Sequence, residues 1–147
     1  MGSVVYLTGA PSSGKSTLCK HLVAEVANLQ TFSYGDELRK WVSQRHATPL
    51  TAPTMREASA GVVTADDVDH IDRELVSWVA KERAQSHIIV DSHPVTKEKF
   101  GFRITPFSGD QLRELSPDFI LCLYASPEEL ERRIVADTRG RPLAFVV

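Results

Sequence analysis

Near the start of the chain, Gly9-Ala10-Pro11-Ser12-Ser13-Gly14-Lys15-Ser16 fits the pattern G-x-x-x-x-G-K-[ST], and Thr17 follows it. Residue types at this spacing are suited to holding phosphate. Gly9 and Gly14 let the backbone curl so that successive N–H groups converge on phosphate oxygens. Lys15 can reach the β- and γ-phosphates, and the Ser16 hydroxyl can ligate Mg²⁺. A helix beginning at Lys15 turns the positive end of its dipole toward the same anion. Residues Gly9 to Thr17 are therefore expected to bind a nucleotide phosphate.

Other residues extend that chemistry. Asp91 closes the apolar run Ile88-Ile89-Val90, and open α/β sheets place ligand groups at such strand ends. A carboxylate there can hold Mg²⁺ or its waters opposite Ser16; the alternative is a plain loop-capping aspartate. Arg39, one helical turn past Gly35-Asp36, is either a bidentate ligand for an acceptor phosphate or a solvated helix arginine. Arg132, Arg133, Arg139 and Arg141 form the densest basic cluster. They suit a lid that neutralises a transferring phosphoryl group; the alternative is a solvated face paired with Glu128, Glu129 and Glu131. Arg132 and Arg133 cannot share a helix face, and Arg132 is expected to be the solvent-facing one. His70 and His93 lack a second ligand at a standard metal spacing and are left out of catalysis. His93, beside Asp91, is placed with the substrate. Trp41 and Trp78 stand at core spacing.

The elements that must position these residues alternate between strand and helix, which implies βαβ units around a parallel sheet. Strands are expected at Val4 to Thr8, Thr31 to Tyr34, His87 to Asp91 and Phe119 to Tyr124. Helices are expected from Lys15 to about Ala27, around Leu38, Trp41 and Val42, and from Thr64-Ala65-Asp66-Asp67 onward. Further helices follow Ser108-Gly109-Asp110-Gln111 and Ser126-Pro127-Glu128-Glu129. Residues 47–61 are poorly periodic, and Ser92 to Ser108 reads as an irregular stretch long enough to suggest function. The fold class expected is α/β, a three-layer α/β/α arrangement on a mainly parallel sheet of four or five strands.

Length and composition set limits. At 147 residues, with 42% hydrophobic and 24% charged content, the chain suits one globular domain spanning residues 1–147. A formal net charge of −2 argues against a general polyanion-binding surface, so no nucleic-acid partner is expected. No apolar run reaches membrane-spanning length and no signal-peptide layout is present, so the cytoplasm is the expected address. Cys19 and Cys122 read as reduced core residues, the second in a buried strand.

Several stretches, in order, resemble the adenylate kinases and their nucleoside-monophosphate kinase relatives. Ser33-Tyr34-Gly35-Asp36-Glu37-Leu38-Arg39 looks like the family's acceptor-site stretch, and Gly61-Val62-Val63-Thr64 is similar to its acceptor-base loop. Asp91-Ser92-His93-Pro94 is similar to its Asp-Gly-Phe-Pro-Arg element. The lead-in Ser116-Pro117-Asp118-Phe119-Ile120 and the runs Val90 to Phe102 and Arg132 to Arg139 look closest to the archaeal type. The resemblance covers most of the chain from Val4 to Arg141. It implies a P-loop kinase fold, ATP as donor, Mg²⁺ as cofactor and a nucleotide acceptor bound by Gly35, Asp36, Arg39, Gly61, Val62 and Val63. The acceptor region would lie at about 33–85 and a short lid at about 132–142. Lys15, Arg39, Asp91, Arg133, Arg139 and Arg141 would carry transfer.

The chain departs from that pattern at four places. Tyr34 replaces a Thr, altering the acceptor-base pocket. Val95 stands where many relatives carry Arg, a charge Arg103 is the candidate to supply. Ser16-Thr17 replaces Gly-Thr, which preserves a Mg²⁺ ligand. Finally, the sequence stops soon after the lid arginines, which bears on donor-base recognition and lid closure. The run Leu143-Ala144-Phe145-Val146-Val147 can be a shortened last strand, a contact with a partner subunit or the scar of a truncated reading frame. The leading expectation is a nucleoside monophosphate kinase acting on AMP or a similar acceptor. A non-transferring nucleotide-binding module or weak ATPase, and a kinase for a non-nucleotide metabolite, are the alternatives.

Overall fold

The computed structural model describes residues 1–45, 62–92, 95–98, 101–104 and 109–136. Its centre is the pair of strands with the most continuous apolar sequence, β1 (Val4–Gly9) and β3 (His87–Asp91). Runs of this kind are stable only when covered on both faces. Between β1 and β3 come α1 (Lys15–Glu25), β2 (Leu29–Ser33), α2 (Tyr34–Arg45) and α3 (Ala65–Glu82). After β3 come β4 (Val95–Glu98), β5 (Gly101–Ile104), α4 (Gly109–Leu115), β6 (Phe119–Leu123) and α5 (Pro127–Ala136). The main sheet is four-stranded in the order β2-β3-β1-β6, and every pairing in it is parallel.

Alternation along the strands sorts side chains to two cores. Val4 and Tyr6 of β1, with Ile88 and Val90 of β3, pack against Ile71, Leu75 and Val79 of α3 and Leu115 of α4. Leu7 and Ile89 face the other way, onto Cys19 with Leu18 and Leu22 of α1. Helices thus cover both faces of a parallel sheet, the α/β arrangement of P-loop kinases. Trp41 and Trp78 pack on the first core as expected.

Several expectations are corrected. The second strand runs Leu29–Ser33 rather than Thr31 to Tyr34, and α2 starts at Tyr34 itself. Within the stretch expected to be irregular, β4 and β5 pair as an antiparallel two-stranded ribbon. Such pairing depends on register between two short segments, which no apolar periodicity announces. Cys122, expected in a buried strand, is exposed. Its strand β6 lies at the end of the strand order, with no further strand beside it among the described residues.

Asp67 ties α2 to the start of α3. Thr64 and Asp67 form a reciprocal capping box, with the Thr64 N–H and hydroxyl both 2.8 Å from Asp67 Oδ2. The Trp41 indole N–H donates to Asp67 Oδ1 at 3.0 Å, and the Arg45 guanidinium lies 2.8 Å from Oδ2. Burial alone would raise this carboxyl. The Thr64 and Trp41 hydrogen bonds and the Arg45 charge outweigh it and hold Asp67 below the usual carboxylate range. A carboxylate with a depressed folded pKa stabilises the fold above its unfolded value of about 3.9, and that contribution fades as pH falls through the folded value. Asp67→Asn should therefore cost about 2–4 kcal/mol at neutral pH, the cost of breaking a buried pair one-sidedly. Urea midpoints of wild type and variant should differ steadily from pH 7 to 5, and the difference should shrink only as pH falls below about 4 toward the lowered folded value.

Candidate active site

The loop joining β1 to α1 takes its shape from three residues with positive φ, Gly9 at 144°, Ser12 at 65° and Gly14 at 106°. A methyl group at Gly9 would lie 2.4 Å from the Leu123 carbonyl oxygen at the end of β6, so no side chain fits. The Ser13 N–H closes the turn onto the Ala10 carbonyl at 3.1 Å. Gly14 caps α1 without a side-chain hydrogen bond, and the first turn carries no acidic residue. The first turn of the helix thus brings no acidic side chain of its own to the loop.

Lys15 is only 6% exposed, and its ammonium donates to the Gly9 and Ala10 carbonyls at 2.8 and 3.1 Å. Asp91 stands opposite Leu7 at the end of β3 and is 8% exposed. Its Oδ2 lies 3.5 Å from the Ser16 hydroxyl, while its buried Oδ1 has no hydrogen-bond partner among the described residues. Burial raises the Asp91 pKa, opposed by the Lys15 charge and the Ser16 hydrogen bond. A buried carboxylate oxygen without a partner beside a hydroxyl is a fit donor set for a divalent cation, whose charge would offset the burial. Among the described residues no group of three or more His, Cys, Asp or Glu could hold a metal. Two protein oxygens are the sparse share Mg²⁺ takes when phosphates and water supply the rest. The Ser13 hydroxyl, also buried, likewise lacks a partner.

Arg133 of α5 reaches back to the loop. Its guanidinium donates to the Ser13 and Ser12 carbonyls at 3.0 and 3.3 Å and to Glu129 at 2.6 Å. Arg132 also binds Glu129, but its side chain is 76% exposed. Arg39 is paired with Asp36 at 3.2 Å on the exposed face of α2. The Asp36 charge acts on Asp91, so the first turn of α2 borders the same site. The Val62 carbonyl accepts from Arg45 at 2.9 Å, and Val63 is buried. Gly61, His93, Arg139 and Arg141 lie outside the described residues, and Arg103 is described only as part of β5.

The structure thus brings together Gly9 to Thr17, Asp91 and Arg133, with Gly35, Asp36 and Arg39 at the border. Tyr34 packs on the first core. Its hydroxyl donates to Asp72 Oδ1 at 2.8 Å, and Gln111 of α4 donates to the other oxygen of that carboxylate. Burial, then the hydrogen bond and charge of Asp72, push the Tyr34 phenol well above its usual range. Sequence reading missed this buried link between α2, α3 and α4 because its partners are far apart in the chain. Cys19, close by, has its thiol pushed up to about 11 by burial and the Asp91 charge, so it is an inert core residue.

A glycine-locked phosphate cradle at the strand ends of a parallel sheet, with a buried lysine and a carboxylate across from it, defines a P-loop nucleotide-binding protein of kinase type. The chain belongs to the AAA domain family, whose model matches residues 8–144. It is 28% identical to the adenylate kinase of Methanopyrus kandleri over 142 residues, 96% of this chain and 71% of that enzyme. It is 26% identical to the probable UMP-CMP kinase 1 of Arabidopsis thaliana over 139 residues, 95% of this chain and 62% of that protein. These relatives mark it as adenylate kinase-like. The shikimate kinase of Bacteroides thetaiotaomicron shares the fold, with a TM-score of 0.56 at 17% identity over 96% of this chain and 68% of that one. The chain thus spans only part of the length of the proteins it matches. Among the described residues no helix is long and apolar enough to cross a membrane.

Gly9→Ala tests the cradle. The clash with β6 and the positive φ together should cost roughly 3 kcal/mol or more. Nucleotide binding measured by calorimetry should fall below detection even at temperatures where circular dichroism shows the variant folded.

Proposed function

We propose that the chain binds Mg·ATP in the loop Gly9 to Thr17 and transfers the γ-phosphoryl group to AMP or a similar nucleoside monophosphate. The observation that carries this reading is the buried pair Lys15 and Asp91, with the Ser16 hydroxyl 3.5 Å from the Asp91 carboxylate, around a loop with no room for a side chain at Gly9. Kinship with kinases of nucleoside monophosphates supports the acceptor class.

On this reading the loop N–H groups and Lys15 hold the donor phosphates. The Lys15 ammonium, now on the Gly9 and Ala10 carbonyls, exchanges those weaker acceptors for phosphate oxygens. Ser16 and Asp91 would hold Mg²⁺, which neutralises developing charge on the phosphates. Arg39 leaves Asp36 for the acceptor phosphate, a bidentate exchange open to an exposed surface pair. An acceptor phosphate oxygen attacks the γ-phosphorus in line. The bond from that phosphorus to the β,γ-bridging oxygen breaks, and ADP departs with the electron pair. Position and electrostatics carry the step, and no strong base is required. Arg133, already on the loop, supplies charge beside the transferring group, with Arg139 and Arg141 as further candidates. An acceptor region over about 33–85 and a short lid over about 132–142, within one domain, complete the proposal.

A coupled assay of ADP release with ATP and AMP, UMP, CMP or small alcohols as acceptors tests it. Release dependent on a nucleoside monophosphate is expected. Release dependent only on an alcohol would make the chain a metabolite kinase, and ATP binding without acceptor-dependent release would make it a non-transferring module. Lys15→Ala should keep the fold and lower transfer by about 10²- to 10³-fold; turnover like wild type would sink the assignment. Asp91→Asn should raise the Mg²⁺ concentration for half-maximal ATP binding by about tenfold or more, read by titration at fixed ATP.

A further inference from the structure

The two buried carboxylates of α3 are held in different ways. Asp67 has the Arg45 guanidinium 2.8 Å away. Asp72, 8% exposed, pairs with no cation among the described residues. Its oxygens take neutral donors instead, the Tyr34 hydroxyl at 2.8 Å and the Gln111 side-chain amide. Burial raises the Asp72 pKa, the Tyr34 and Gln111 hydrogen bonds oppose that rise, and the charge of Asp69 on the same helix adds to it. A carboxylate held in this way is costly to bury, and apolar side chains of similar size would serve stability as well or better. What it supplies is direction, because a hydrogen bond fixes an orientation that apolar packing leaves loose.

The orientation at stake is that of the start of α2. Ser33, the last residue of β2, lies opposite Asp91 of β3, so α2 begins at Tyr34 level with the carboxylate of the site. From there the Tyr34 hydroxyl crosses to α3, where it also lies 3.4 Å from the Val68 carbonyl. On the sheet side, the Asp72 charge acts on Tyr6 of β1, which is hydrogen-bonded to the Ser92 side chain beside Asp91. Tyr34, Asp72, Gln111 and Tyr6 thus link α2, α3, α4 and β1 at the border of the site. A rotation of α2 about its axis would carry Asp36 and Arg39 with it. The bond from Tyr34 to Asp72 opposes that rotation at the end of the helix level with Asp91.

We infer that Tyr34 and Asp72 are positioning residues for the acceptor: their hydrogen bond sets the rotation of the first turns of α2 and so aims Arg39 at the acceptor phosphate. The inference rests on the acceptor role proposed above for Arg39. Because the pair acts through Arg39, its effect falls on acceptor binding. Donor binding, which belongs to the loop between β1 and α1, is left as it is, and so is the transfer step once the acceptor is bound.

The full chain is compared with Tyr34→Phe and with the double variant Tyr34→Phe/Asp72→Leu. In both, KM for the nucleoside monophosphate should rise about tenfold, with kcat within about threefold of wild type and ATP affinity by calorimetry unchanged. The double variant removes both partners at once, so its urea midpoint should equal or exceed that of wild type. A merely structural role would not join a kept midpoint to a raised KM. In the double variant the Leu38 and Arg39 amides should exchange about tenfold faster than in wild type, while those of Leu75 and Val79 in α3 stay protected. An unchanged acceptor KM in the double variant overturns the inference, and so does a KM that rises there only together with a loss of ATP affinity or of stability. If wild type transfers to no nucleoside monophosphate, the acceptor reading fails, and exchange at Leu38 and Arg39 decides the positioning of α2 by itself. Should the double variant not fold, Tyr34→Phe alone decides, on the split between acceptor KM, kcat and ATP affinity.

Discussion

Gly9 lies so close to β6 that a side chain there would enter the Leu123 carbonyl. That contact brings the end of β1 against its neighbour and sends the chain into a tight turn rather than straight on. From this turn follow the positive φ at Gly14 and the start of α1 at Lys15. The same turn exposes the Ser12 and Ser13 carbonyls on which Arg133 rests. Replace the constraint with a looser loop, and the lysine, the serine and the helix end would no longer converge on one place.

Within the cradle, burial makes each charge count. Lys15 and Asp91 both lie beneath the surface, and the Lys15 charge favours the ionised form of Asp91 against the cost of desolvation. Lys15 donates to the Gly9 and Ala10 carbonyls, and Asp91 keeps one oxygen without a hydrogen-bond partner among the described residues. A buried carboxylate that keeps an oxygen without a partner is arranged for a ligand that completes the pairing. Such an arrangement favours phosphate with a divalent cation over a neutral molecule.

Two buried carboxylates of α3 brace the flank of the site. Asp67 holds Trp41 and Arg45 near the end of α2, and Asp72 holds Tyr34 at its beginning. With both ends of α2 tied to α3, Gly35, Asp36 and Arg39 sit on a firmly mounted helix, not on a loose loop. His70 stacks on Trp41 with ring centroids 3.6 Å apart, which places it in this brace rather than in the chemistry.

The chain by itself determined the phosphate loop, the alternation of strands and helices, the caps at Thr64 and Ser126 and the placing of Asp91 at a strand end. All of these are local, set by glycine φ, apolar period and short-range hydrogen bonds. Helix spacing already set Arg132 toward solvent, whereas only the tertiary structure decided that Tyr34 belongs to Asp72 and that Arg133 rests on the Ser12 and Ser13 carbonyls. It alone paired β4 with β5, bared the edge of β6 with its Cys122 and left one oxygen of Asp91 without a partner. Those outcomes join residues up to 121 positions apart. A contact of that kind depends on which faces of which elements pack together, and a short stretch of sequence carries no record of its distant neighbours.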